Sequence, residues 1–177
     1  MNNNNEQMYP YPGDGYYPHQ QTFILMWNPA YSSVTMDYHM YCIENFDEEP
    51  FDWSIYEWEK AHEGDRFYLV RVGEGKTGIV MSGVFTSEPY VGDDWNKSRG
   101  SKQIHYMDMQ PNFIINPETM PIITTEQLQK AIPDFEWRRG HSGTLLTEDQ
   151  AQRLEKLFAE YLPTVIDKTD GKDLAVL

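Results

Sequence analysis

Two apolar runs on either side of a glycine-rich turn constrain this chain more than any other feature. Arg66-Phe-Tyr-Leu-Val-Arg-Val72 and Ile79-Val-Met-Ser-Gly-Val-Phe85 flank Gly73-Glu-Gly-Lys-Thr-Gly78. Both runs read as strands. The turn also satisfies G-x-G-x-x-G and contains Gly75-Lys76-Thr77, the closing letters of a Walker A loop. A phosphate loop must lead into a helix, whose N-terminus meets the phosphates. Here it leads into strand-like sequence, and Val70 occupies the place of the first Walker glycine. The stretch is therefore predicted to be a hairpin turn, with glycines supplying positive φ. Gly83 inside the second run predicts a bulge or a close backbone approach.

The remaining pattern predicts an α+β domain over residues 22–162. Thr22-Phe-Ile-Leu-Met-Trp27 is a third strand, a buried one, ended by Asn28-Pro29. Residues 104–109 and 112–115 are further strand material, and residues 87–101 read as a loop. Helical segments are expected at 35–46 and 54–62. Thr124-Thr-Glu-Gln127 and Thr147-Glu-Asp-Gln150 are capping boxes. The second opens the helix whose Ala151, Leu154, Leu157, Phe158, Tyr161 and Leu162 share one face. Residues 1–21 carry Asn, Gln, Tyr, Pro and Gly with hardly an aliphatic side chain, a composition expected of a disordered tail. Residues 163–177 are expected to form a frayed C-terminal tail.

Charge and cysteine usage narrow the function. Asp plus Glu number 28 against 14 Lys plus Arg, a formal charge of −14, which argues against coating nucleic acid by bulk attraction. Ten carboxylates between Asp37 and Asp65 face only Lys60. Cys42 is the single cysteine, so an internal disulfide is excluded and a reducing compartment is favoured. No apolar run approaches the ~20 residues of a membrane span, and the N-terminus lacks a secretory signal's basic start and apolar middle. A cytoplasmic protein is expected.

Catalytic patterns are sparse. The five histidines are scattered, and His39 with Cys42 is the only i, i+3 pair of metal-ligand type. No G-x-S-x-G elbow surrounds Ser82 or Ser142. No metal site, cofactor or enzymatic activity is expected. Aromatic residues instead punctuate strand ends, at Trp27-Asn28, Trp53-Ser54, Ser87-Glu-Pro-Tyr90, Trp95 and Trp137, where pockets form on a rigid scaffold. Basic residues gather nearby: Lys97, Arg99 and Lys102 around Trp95, and Arg138 and Arg139 beside His141-Ser142. The span 66–105 holds six basic residues against four acidic ones.

These motifs, in this order, resemble a family. Phe23-Ile-Leu-Met-Trp-Asn-Pro29, Trp53-Ser54, Gly64-Asp-Arg-Phe-Tyr-Leu-Val-Arg71 and Gly78-Ile-Val-Met-Ser-Gly-Val-Phe-Thr-Ser-Glu-Pro-Tyr90 lead on to residues 128–133, Trp137, Ser142-Gly143 and the closing helix. The pattern is similar to the EVE domain of the PUA-like superfamily, in the version found with HNH and McrBC-type restriction nucleases, and is related to YTH domains. The resemblance implies a curled, mixed β-barrel with flanking helices. It also implies a flipped, modified base of DNA or RNA held in an aromatic pocket. Trp27 and Trp53 would supply the walls, with Tyr90, Trp95, His141 and Ser142 around them. Asn28, Ser54 and Ser87 would bond the base edge, and Lys97, Arg99, Lys102, Arg138 and Arg139 would hold phosphates. No nuclease or motor sequence follows residue 162, so a separate effector protein would supply any chemistry. The alternative is a PUA-like protein without nucleic-acid affinity that binds a small molecule or a protein partner.

Overall fold

The computed structural model describes residues 20–48, 50–100 and 102–177. Eight strands form one curled sheet: β1 (Thr22–Trp27), β2 (Phe51–Ser54), β3 (Arg66–Arg71), β4 (Gly78–Phe85), β5 (Tyr90–Asp93), β6 (Gln103–Ile115), β7 (Thr144–Leu145) and β8 (Leu174–Val176). Three helices pack around it: α1 (Met36–Glu44), α2 (Thr125–Ala131) and α3 (Glu148–Tyr161). The sheet order is β2-β6-β4-β3-β1-β7, with β5 and β8 also paired to β6. β1 and β3 run parallel, in register from Thr22↔Arg66 to Trp27↔Arg71, and the other pairs are antiparallel.

The two apolar runs form the expected hairpin of β3 and β4. Gly73 and Gly75 take φ of 89° and 84° in its turn, and a strand, not a helix, follows. Every residue of β3 and β4 is buried. At Gly83 the β4–β6 register shifts, and a Cβ there would lie 2.2 Å from the Gln110 carbonyl oxygen. That is the close approach its sequence position predicts.

Both capping boxes are made. Thr124 accepts from Gln127 N and Thr147 from Gln150 N, while each glutamine side chain accepts from its threonine's N–H. The apolar face of α3 meets the sheet through Leu154 and Phe158, both fully buried. Phe158 lies edge-on to Tyr68 and to Phe113, with ring centroids 5.3 Å apart in each case. Such contacts add ~0.5–1.5 kcal/mol each beyond the area buried. The Arg66 guanidinium and the Tyr68 hydroxyl both donate to the buried Glu155 carboxylate, latching α3 to β3.

Three expectations are corrected. Residues 163–177 are not a frayed tail. Two 3₁₀ turns, at Leu162–Thr164 and Ile166–Lys168, lead to β8, which pairs with β6 from Phe113 to Ile115. Val165 and Leu174 are fully buried, so the folded unit extends beyond residue 162. Residues 54–62 hold only a 3₁₀ turn at Trp58–Lys60. The N–H groups of Ile55, Tyr56 and Glu57 bond the carbonyls of His105, Ser142 and Gly143 across the sheet, and those of Lys60 and Ala61 bond three residues back, to Glu57 and Trp58, which makes the short 3₁₀ turn. The span 87–101 contains β5. Of the expected tail at 1–21, Gln20 and Gln21 are tied to Gly64 and Asp65, and the rest lies outside the described residues.

Candidate functional site

The curl of the sheet closes at a seam. Its two end strands, β2 and β7, are bridged where Tyr56 N and Glu57 N donate to the carbonyls of Ser142 and Gly143, each at 3.0 Å. Gly143 N in turn donates to Ile24 O of β1 at 2.9 Å. Gly143 has φ of 89°, and a Cβ on it would stand 2.7 Å from the Ile55 Cα. Only glycine fits this junction.

Beside the seam lies a cleft of about 630 Å³, within the ~300–1,000 Å³ range of small-ligand sites. The end of β1, the turn after it, β2 with residues 55–58, the start of β6, the Trp95 loop and residues 139–142 line it. Seven of the expected pocket residues come together there: Trp27, Asn28, Trp53, Ser54, Trp95, His141 and Ser142. Arg99 and Arg139 line it as well.

The five tryptophans sort by what covers their rings. Trp137 is fully buried, with its indole N–H on Ile132 O at 3.0 Å. Trp27 lines the cleft but is only 1% exposed; it stacks on His39 with centroids 4.9 Å apart and donates to Val34 O. It therefore backs the cleft instead of forming an open wall, because β1 runs through the middle of the core. Trp58 stacks face to face on His105 at 3.6 Å. Trp53 and Trp95 are half-buried, line the cleft, and meet no other aromatic ring among the described residues. The Arg99 guanidinium lies over Trp95 at 5.3 Å.

Polar groups fix these rings in place. Ser142 Oγ accepts from the Trp53 indole N–H and from Met26 N, both at 2.9 Å. Its part is thus to hold Trp53, with one hydroxyl proton left to donate. Asn28 Oδ1 accepts from Ala30 N, and its carbonyl accepts from Tyr31 N and Ser32 N, forming the turn on one rim. Tyr56 and His141 stack across the seam at 3.7 Å. The Tyr106 hydroxyl donates to Asp93 O and accepts from Trp95 N, seating the Trp95 loop.

Ser87 and Tyr90 fall outside the cleft. Both are drawn to Asp108 on β6: Ser87 Oγ accepts from its N–H at 2.9 Å, and the Tyr90 hydroxyl donates to its carboxylate at 2.7 Å. Lys97, Lys102 and Arg138 are exposed and do not line the cleft. Arg138 lies 3.9 Å from Glu126. Sequence reasoning overlooked Trp58, Tyr56, His105 and Tyr106, all on the lining. The aromatic spacing Trp53, Tyr56, Trp58 was the available signal. The His39–Cys42 pair forms no metal site. His39 Nε2–H donates to Ile115 O at 2.9 Å, and no group of three or more His, Cys, Asp or Glu ligands assembles among the described residues. No helix of these residues is long and apolar enough to cross a membrane.

A curled mixed sheet with flanking helices and an aromatic cleft at its seam makes this an α+β fold. No protein-family model and no curated protein matches the chain in sequence. Several solved structures share the fold. A hypothetical protein from Leishmania major aligns with a TM-score of 0.54 at 9% identity, covering 80% of this chain and 96% of its own. A Pseudomonas syringae protein aligns at 0.52 and 11% identity, covering 77% and 98%. Human THYN1, an EVE/PUA-like domain solved in complex with DNA containing 5-methylcytosine, aligns at 0.53 and 10% identity, covering 78% and 97%. The family resemblance read from the sequence holds at the level of fold.

Proposed function

We propose that this chain is a non-enzymatic reader module that takes a modified, flipped nucleobase of DNA or RNA into the seam cleft. The observation that carries the reading is the pair Trp53 and Trp95, two cleft tryptophans without a ring partner among the described residues. The fold shared with a domain solved on methylated DNA supports it. Extruding a base costs a few kcal/mol, and stacking on an aromatic ring returns ~1–3 kcal/mol per base. The Ser54 hydroxyl and the Asn28 amide nitrogen, which make no other hydrogen bond among the described residues, are donors for a base edge. Arg99 and Arg139 at the cleft, with Lys97, Lys102 and Arg138 beyond it, hold the flanking phosphates. A separate effector protein would act on what the module reads.

Stacking on Trp53 or Trp95 quenches indole fluorescence, so titration with short methylated and unmethylated oligonucleotides tests the reading. Saturable quenching, stronger for methylated strands and lost in Trp53→Ala, is expected. A second reading, a small-molecule or protein ligand, draws on the acidic 37–65 segment, whose Asp52 reaches the cleft lining. Quenching by no strand would favour it.

A further inference from the structure

One hydroxyl proton on the cleft lining has nothing to bond. Ser142 Oγ accepts from the Trp53 indole N–H and from Met26 N, both at 2.9 Å. Those two bonds occupy both lone pairs of the oxygen, which is left able only to donate. The structure gives its proton no acceptor among the described residues. The residue is oriented from behind, where its carbonyl accepts from Tyr56 N across the seam at 3.0 Å. Its half-buried side chain turns instead to Met26 and Trp53, and all three residues line the cleft. Accepting two hydrogen bonds also polarises the O–H and strengthens it as a donor. Such a donor calls for an acceptor on whatever fills the cleft.

The indole N–H lies in the plane of its ring, so Ser142 sits at the edge of Trp53. A base stacked on that ring brings its own edge to the hydroxyl. A flipped base is read along its Watson–Crick edge. The middle of that edge is a ring nitrogen, bare in cytosine and adenine and protonated in thymine, uracil and guanine. Resting on the reader assignment above, we propose that Ser142 is a specificity-determining residue of the cleft. Its hydroxyl donates to the bare ring nitrogen of an amino-bearing base, N3 of cytosine or N1 of adenine. Thymine, uracil or guanine in the same place sets N–H against O–H and leaves two donors unpaired away from water. Ser142 therefore has two separate tasks, accepting to hold Trp53 and donating to select the base.

Deaza bases isolate this bond, because they exchange the ring nitrogen for C–H and keep the shape of the ring. The probes are short single-stranded oligonucleotides carrying one 5-methylcytosine or one N6-methyladenine. Each is paired with the same strand carrying the 3-deaza or the 1-deaza form of that base. Fluorescence anisotropy on wild type should show the deaza form bound roughly tenfold more weakly than its parent. The pair that shows the gap tells cytosine from adenine. In Ser142→Ala, loss of the Trp53 anchor weakens both members of the pair, but parent and deaza forms should then bind alike. A purely structural role for Ser142 would leave the gap in place. Ser142→Cys, whose S–H is a weak donor, replaces the alanine variant if that does not fold, and should narrow the gap as well. Equal wild-type binding of parent and deaza forms, or a gap that survives in either variant, overturns the proposal and leaves the reader function standing. Binding of no strand by wild type overturns both.

Discussion

The indole N–H of Trp53 donates to the hydroxyl of Ser142 at 2.9 Å, joining residues 89 positions apart in the chain. The same oxygen accepts from Met26 N, so one side chain ties β2, the seam loop and β1 together at the cleft. Ser142→Ala orphans two part-buried donors. A loss of about 1–3 kcal/mol in urea unfolding is expected, with weaker oligonucleotide binding as Trp53 loses its anchor. An unchanged unfolding midpoint would mean that another acceptor holds the indole.

Gly143 closes the seam with positive φ and no room for a Cβ. Gly143→Ala should cost about 1–3 kcal/mol and disturb the cleft. Gly140 is also at positive φ, but a Cβ added there would meet nothing within 4 Å. Gly140→Ala therefore bears backbone strain alone and should cost less. Equal losses from the two variants, measured by urea unfolding, would contradict the packed junction.

His39 behind Trp27 gives the fold a pH dependence. Burial lowers its pKa from 6.5 to about 4. The unfolded imidazole takes a proton below about pH 6.5 that the folded one refuses until about pH 4. Stability contributed by the neutral ring is therefore complete above pH 6.5 and is lost as pH falls toward 4, on the order of 3 kcal/mol in all. Between pH 7 and pH 4.5, wild type should lose about 2–3 kcal/mol more than His39→Gln in urea titrations. Equal losses would show that His39 is protonated in the folded protein.

The interior was legible in the sequence, and the surface strands were not. β1, β3 and β4 announce themselves as unbroken apolar runs because both of their faces are covered. α2 and α3 carry their capping boxes in plain letters. β2, β5 and β7 are two to four residues long, with no fully buried face to write a pattern. β8 fills the edge of β6 that β2 leaves open beyond Met109, across from β4. Within the site, Trp27-Asn28 and Trp53-Ser54 look alike as letters. Only topology separates them, by placing β1 inside the sheet and β2 at its end. Ser142 drew notice in the sequence as a candidate, but its bond to Trp53 depends on a seam that no local pattern encodes.

The central claim is that Trp53 reads the base while the neighbouring lysines hold the strand. Fluorescence anisotropy with methylated and plain oligonucleotides over a salt series, on wild type, Trp53→Ala and Lys97→Ala/Lys102→Ala, tests it most directly. Phosphate contacts position a strand and base contacts specify it. Trp53→Ala should therefore weaken the methylated strand by ~1–3 kcal/mol and erase its advantage over the plain one. The lysine variant should weaken both strands alike and flatten the salt dependence. Absence of wild-type binding to any strand at low salt, or a methyl preference that survives Trp53→Ala, would contradict the account.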